Sequence, residues 1–61
     1  MNEKIKRLVE ERGLTQNELA EIAGTSRPFI TNLLNGYKMP SVPVLKRIAD
    51  YFGVSVDDLI D

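Results

Sequence analysis

Residues 15–35 read TQNELAEIAGTSRPFITNLLN, and this stretch decides the fold. Thr15 and Glu18 form a capping box, in which each side chain bonds a free backbone N–H group at the start of a helix. Gly24 interrupts the helical pattern, because glycine adopts the positive φ of a tight turn at little cost. Ser26 is a good N-cap for a second helix. The stretch therefore predicts two short helices with a turn between them.

The two helices are predicted over about 16–23 and 26–35. Apolar residues recur every three or four positions in both, which is the spacing of a helix that buries one face. Two short helices joined by a short turn that contains glycine have the geometry of a helix-turn-helix. The apolar positions are Leu19, Ala20, Ile22, Ala23, Ile30, Leu33 and Leu34.

The side of the second helix that lies opposite its apolar stripe is polar, short and free of acidic residues. A solvated helix face more often carries Glu and Lys four residues apart. A helix with such a face fits the major groove of DNA, which is about 12 Å wide. The outward positions are Pro28, Thr31, Asn32 and Asn35, with Arg27 in the first turn.

Outside this motif the pattern predicts three further helices and no strands. One covers about 2–12, one follows the N-cap Ser41, and a short last one runs from the N-cap Ser55 to about Ile60. We therefore expect an all-α fold, a compact bundle of five short helices, in one domain over residues 1–61.

Composition argues against an enzyme. The 61 residues include no Cys and no His, which removes thiolate chemistry and the commonest general base and metal ligand. Ser and Lys show no nucleophile–base spacing, and no glycine-rich phosphate loop occurs. Asp57 and Asp58 would point about 100° apart on a helix, so they suit the helix dipole better than a metal ion. We expect no catalytic residue, no metal, no cofactor and no small-molecule ligand.

Charge is unevenly distributed along the chain. The formal net charge is −1, but no acidic residue lies between Ile22 and Ala49. That stretch carries Arg27, Lys38, Lys46 and Arg47. A local positive surface attracts a polyanion whatever the net charge. The alternative is an ordinary solvated face.

No apolar stretch approaches the roughly 20 residues that span a bilayer. The segment from Met1 to Arg7 lacks the apolar region of a signal peptide. We expect a cytoplasmic protein that contacts no membrane and is associated with the nucleoid through DNA.

Several stretches in combination resemble the Cro/repressor (XRE-type) helix-turn-helix family of phage and bacterial regulators, which have a lambda-repressor-like DNA-binding domain. The resemblance covers nearly the whole chain. The stretches are LTQNELA at 14–20, GTSR at 24–27, Ile30, NG at 35–36, MPS at 39–41 and FGVSVDDL at 52–59.

The resemblance implies a sequence-specific double-stranded DNA-binding transcription regulator, which we expect to be a repressor. It implies that the helix at about 26–35 enters the major groove and that Arg27, Pro28 and Asn32 read bases, with Thr31 as a weaker reader. Arg can bond guanine bidentately and Asn can bond adenine. A phosphate contact by Arg27 and a merely solvated Asn32 are the alternatives.

The resemblance also implies phosphate contacts by Gln16, by Asn35 and by the N–H of Gly36. Tyr37 and Lys38 are additional candidates from the following loop. Such contacts fix the register of a protein on DNA without reading its sequence. The alternatives are a plain exposed Gln16 and a Tyr37 that packs on the loop.

Three positions depart from the family's pattern. Pro28 stands where a polar reader is frequent and offers only apolar contact. A proline also disfavours helical geometry at the preceding residue, so we expect the helix to begin late and Arg27 to be re-aimed. Phe29 contacts thymine methyls or sugars, or packs against the preceding helix, which we favour. Leu34 stands where an acid is common. The operator sequence is therefore not predicted.

The expected partner is a palindromic operator bound by a homodimer, with half-sites about 34–36 Å apart. The segment 54–60 supplies either the dimer interface or the closure of a small monomer core. A second hypothesis is a protein-binding module, such as an antitoxin that neutralises a partner.

Overall fold

The computed structural model describes residues 3–60, which contain four α-helices, one 3₁₀ turn and no strand. The elements are α1 Glu3–Arg12, α2 Gln16–Ala23, α3 Arg27–Leu34, α4 Val42–Phe52 and the 3₁₀ turn Asp57–Leu59. An all-α architecture agrees with the prediction. The predicted start of the first helix at Asn2 and the ends of the predicted domain, Met1 and Asp61, lie outside the described residues.

The predicted fifth helix is wrong, because Asp57–Leu59 forms a single 3₁₀ turn. The N–H of Leu59 donates to the carbonyl three residues earlier at 2.9 Å, and Ile60 is already extended (φ −87°, ψ 127°). Ser55 and Asp58 close the turn on themselves, since each side-chain oxygen accepts from the other's backbone N–H at 3.2 Å. Leu59, the last residue of this element, is buried in the core. The segment 57–59 is thus a single turn, which is too short for the costly nucleation of an α-helix.

The three central helices begin at the predicted caps. Thr15 Oγ1 accepts from the N–H of Glu18 at 3.1 Å, and a Glu18 carboxylate oxygen accepts from the N–H of Thr15 at 2.8 Å. Ser26 Oγ accepts from the N–H of Phe29 at 3.3 Å, and Ser41 caps α4 in the same way. These bonds satisfy backbone donors that have no partner inside a helix.

Pro28 does not delay α3, contrary to expectation. The helix begins at Arg27, and Pro28 lies in its first turn. Backbone N–H groups in a first turn have no intrahelical acceptor, so the missing proline N–H costs nothing there. The Ser26 cap therefore holds Arg27 in helical geometry next to the motif's turn.

All four helices and the 3₁₀ turn contribute to one core. Ile30 and Leu33 are fully buried, and α2 packs against both α3 and α4. Ile22 and Leu34, which we expected in the apolar stripe, are half-buried. The buried hydrophobic side chains are Ile5, Val9, Leu19, Ala20, Ala23, Ile30, Leu33, Ile48, Ala49, Phe52 and Leu59.

Candidate nucleic-acid interface

The outward face of α3 is polar, as predicted. Arg27 and Pro28 are exposed, and Thr31 and Asn32 are half-buried. They lie on the opposite side of the helix from the two fully buried side chains that anchor it to the core. The structure thus brings the four predicted base-reading residues onto one accessible face, which carries no acidic side chain.

A side-chain hydrogen bond joins this face to the start of α2. The hydroxyl of Thr31 donates to Oε1 of Gln16, across a separation of 15 residues in the chain. Both side chains are half-buried. One predicted phosphate-binding residue is therefore in direct contact with one predicted base reader.

The other end of α3 is closed by backbone hydrogen bonds. Asn35 is the exposed C-cap, and Gly36 follows with φ +84°. The N–H of Gly36 donates to the carbonyl of Leu33 at 3.1 Å, and the N–H of Tyr37 donates to the carbonyl of Asn32 at 2.8 Å. The Gly36 N–H, which we expected to donate to a phosphate, is thus used within the turn.

The loop after α3 presents its side chains to solvent. Tyr37 is 79% exposed, so its ring does not pack on the loop. Lys38 is exposed as well. Met39 is also largely exposed, at 65%, and so is Val42 at the start of α4, at 72%. The loop therefore offers both a cation and an apolar surface beside the predicted phosphate contacts.

The acidic side chain of Glu18 completes the capping box at the start of α2. Hydrogen bonds from Thr15 hold the pKa of Glu18 below its ordinary value. The bond from the backbone N–H of Thr15 has the larger effect, and the bond from its side chain has the smaller. Glu18 is therefore ionised at neutral pH and is directed at the N-cap of α2. Its charge stabilises the positive end of that helix.

Arg47 lies against the turn of the motif, a placement that the sequence does not predict. A Cβ atom added to Gly24 would stand only 2.6 Å from Nη1 of Arg47. This places a cation beside the C-terminal end of α2, where free carbonyl groups favour positive charge. The contact depends on the packing of α4 on α2, and local sequence carries no sign of it.

The C-terminal segment mainly closes the core. Leu59 is 2% exposed, and Val54 and Val56 pack against the core while half-buried. Ile60 alone of this predicted apolar set remains largely exposed, at 53%.

Within residues 3–60, no helix is both long and apolar enough to cross a membrane.

Comparison with known proteins identifies the family. A helix-turn-helix family model matches residues 5–59, which is nearly the whole chain. The chain belongs to this helix-turn-helix family. The predicted XRE-type resemblance is thereby confirmed, and the family is one of DNA-binding transcription regulators.

Similar curated proteins include both a transcriptional activator and a repressor. The HTH-type transcriptional regulator DdrOP3 of Deinococcus deserti is 34% identical over 59 residues, which cover 97% of this chain and 46% of that protein. The transcriptional activator BcrR of Enterococcus faecalis is 37% identical, over 97% of this chain and 29% of its own length. The immunity repressor protein of Bacillus phage phi105 is 32% identical, over 98% and 42%. The chain thus spans less than half the length of these relatives.

Proposed function

We propose that residues 1–61 form one domain that binds double-stranded DNA in a sequence-specific manner, with α3 inserted into the major groove. The observation that carries this proposal is the polar, acid-free outward face of α3, opposite the fully buried Ile30 and Leu33. Major-groove readout requires such a helix, rigidly held on one side and rich in donors and acceptors on the other.

Arg27 and Asn32 are proposed as the principal base readers. Arg27 is exposed in the first turn, and its guanidinium can donate two parallel bonds to guanine. Asn32 lies five residues further along α3, on the outward side of the helix, and its amide matches adenine. Pro28 adds an apolar contact, for which a thymine methyl is the natural partner.

Phosphate contacts are proposed at two separate places beside this face. Gln16 lies at the start of α2, while Asn35, Tyr37 and Lys38 lie just beyond α3. Two separated anchors fix the orientation of a recognition helix on the duplex. Gly36 contributes the backbone turn that presents its neighbours, since its own N–H is bonded to Leu33.

The proposed regulator is a repressor that acts as a homodimer on a palindromic operator. A domain that covers a two-fold site excludes other proteins from it, and two copies bound in successive major grooves fit half-sites about 34–36 Å apart. Ile60, exposed at the end of the described chain, is a candidate for the dimer contact. Acting on DNA, the protein would work in the cytoplasm by binding alone, with no catalytic step.

Selection from a pool of random duplexes at two salt concentrations tests the proposal. We expect enrichment of a short palindrome and an affinity that falls steeply as salt rises. Arg27→Ala and Asn32→Ala should relax selection at different positions of each half-site, whereas Gln16→Ala should weaken all sequences alike. No enrichment, with binding at the nonspecific level of about 10⁻⁴–10⁻⁶ M, would contradict it.

A protein-binding role is the second candidate, and the surface formed by the loop after α3 and the start of α4 favours it. Tyr37, Met39 and Val42 are exposed by 79%, 65% and 72% within six residues of chain. Closely spaced exposed apolar side chains are common at protein contacts. A Met39→Ser, Val42→Ser variant, which leaves the proposed phosphate contacts intact, should retain full operator binding; if it nevertheless loses repression in cells, this surface is assigned to a protein partner.

A further inference from the structure

We infer that Thr31 is a positioning residue, whose hydroxyl aims the side-chain amide of Gln16 at a DNA phosphate, and that Thr31 does not itself read a base. The inference rests on the proposed function and deepens it. The observation behind it is the hydrogen bond from Thr31 Oγ1 to Gln16 Oε1.

The atoms of this bond determine what each residue can still offer. A threonine hydroxyl has one proton, and here that proton is directed to Gln16, away from any base. A glutamine amide has an acceptor oxygen and two N–H donors. Because the oxygen is held by Thr31, the NH₂ group is the end left to face outward, and it is the end that an anionic phosphate requires.

The position of the bond explains why it matters for binding. Gln16 is the first residue of α2, and glutamine has three flexible side-chain torsions that a phosphate contact must immobilise. Both partners are half-buried, so water competes less for the bond than on an open surface. The amide is therefore oriented before DNA arrives, and the ordering cost at binding is reduced.

The bond also connects the two tasks of the motif. Gln16 belongs to α2, which anchors the protein on the backbone, and Thr31 belongs to α3, which enters the groove. The bond between Thr31 and Gln16 holds the side chain that contacts the phosphate at a defined position relative to α3. Loss of the bond should thus weaken every sequence by the same factor, since it removes an anchor and no base contact.

Two substitutions at the same position separate the possibilities. Thr31→Val keeps the methyl group and the shape but removes the hydroxyl, whereas Thr31→Ser keeps the hydroxyl and removes the methyl group. We expect Thr31→Val to weaken binding by about threefold to tenfold, the range for one net hydrogen bond, equally on all duplexes. Thr31→Ser should bind like the wild type with unchanged selectivity. Thermal melting of each variant confirms that it is folded.

A double variant tests whether the effect passes through Gln16. In a Gln16→Ala background, Thr31→Val should cause no further loss, because the group that it positions is absent. Losses that multiply, or a Thr31→Ser variant that relaxes selection at one base pair, would overturn the inference and restore Thr31 as a base reader. If the wild-type chain itself selects no site, the proposed function and the inference fall together.

Discussion

Helices α2 and α3 are built alike and differ where they face solvent. Each has 8 residues, and in each a hydroxyl N-cap accepts from the backbone N–H of the third helical residue. The third residue itself differs. In α2 it is Glu18, which completes the capping box, and in α3 it is Phe29, which cannot.

The difference shows which helix is optimised for its own stability. An acid at the third position strengthens a cap and complements the helix dipole. Its absence from α3 gives up that stabilisation, and the whole exposed face of α3 is free of acids. Both helices meet the same packing demands from the core. We therefore attribute the acid-free polar face of α3 to the proposed contact with a polyanion and not to the demands of folding.

The largest expected effect comes from giving α3 an acidic face like that of α2. Asn32→Glu should weaken binding to the selected operator by about 100-fold or more, since it removes an adenine contact worth roughly 1–3 kcal/mol and adds repulsion. Fluorescence anisotropy measures this loss. The free energy of unfolding should change by about 0.5 kcal/mol or less, as for other solvent-facing substitutions.

A matched control separates local from overall charge. Lys6→Gln on the exposed side of α1 changes the net charge by the same amount. It should have only a small, salt-sensitive effect on affinity. Equal losses for the two variants would contradict a base-reading role for Asn32.

The turn between the two helices gives the next largest effect, on stability. Gly24→Ala should lower the free energy of unfolding by about 1–2 kcal/mol, because an alanine at φ +71° is strained. It must also displace the Arg47 guanidinium. Gly53→Ala is the control, since Gly53 has φ +70° but nothing lies within 4 Å of its added Cβ. Urea unfolding should show Gly24→Ala to be at least as damaging as Gly53→Ala; a smaller loss would contradict the Arg47 contact.

Loss of either N-cap should lower stability by a similar amount, but the two losses should affect DNA binding differently. Thr15→Ala and Ser26→Ala should each lower the free energy of unfolding by about 1 kcal/mol. Ser26→Ala loosens the turn that carries Arg27, so it should relax selection at the base pair read there. Thr15→Ala loosens the turn that carries Gln16 and should weaken all duplexes uniformly. Identical selection profiles for both variants would argue against the division of roles between α2 and α3.

The smallest effect is the pH dependence of the Glu18 cap. Hydrogen bonds from Thr15 lower the pKa of Glu18 in the folded state, so its stabilising contribution is present above the ordinary glutamate pKa and is lost as pH falls through the folded value. The melting temperature of Glu18→Gln should therefore be lower than that of the wild type at about pH 7. The difference between the two melting temperatures should narrow at about pH 3. A gap that widens on acidification would contradict the assigned charge.

The local features of the fold could be predicted from the sequence, because caps and turns depend on neighbouring residues. Thr15, Glu18, Gly24 and Ser26 each act as their type and spacing predict. The last turn could not be assigned, since the choice between three- and four-residue hydrogen bonding depends on how Leu59 docks in the core.

The contacts that refine the site could not be predicted either. Thr31 meets Gln16, and Arg47 meets Gly24, only because separate helices cross at particular angles. Sequence periodicity identifies the face of each helix but not which residue of a neighbouring helix lies opposite. The same limit applies to the Gly36 N–H, whose bond to Leu33 depends on how α3 ends.

The central claim is that α3 places its outward face against bases. Intermolecular nuclear Overhauser effects between the isotope-labelled protein and a selected duplex test it most directly. The account predicts contacts from the Asn32 amide and the Arg27 side chain to base protons in the major groove, with Gln16 close only to sugar protons. Contacts confined to Tyr37, Met39 and Val42, with the α3 side chains unchanged on addition of DNA, would contradict it.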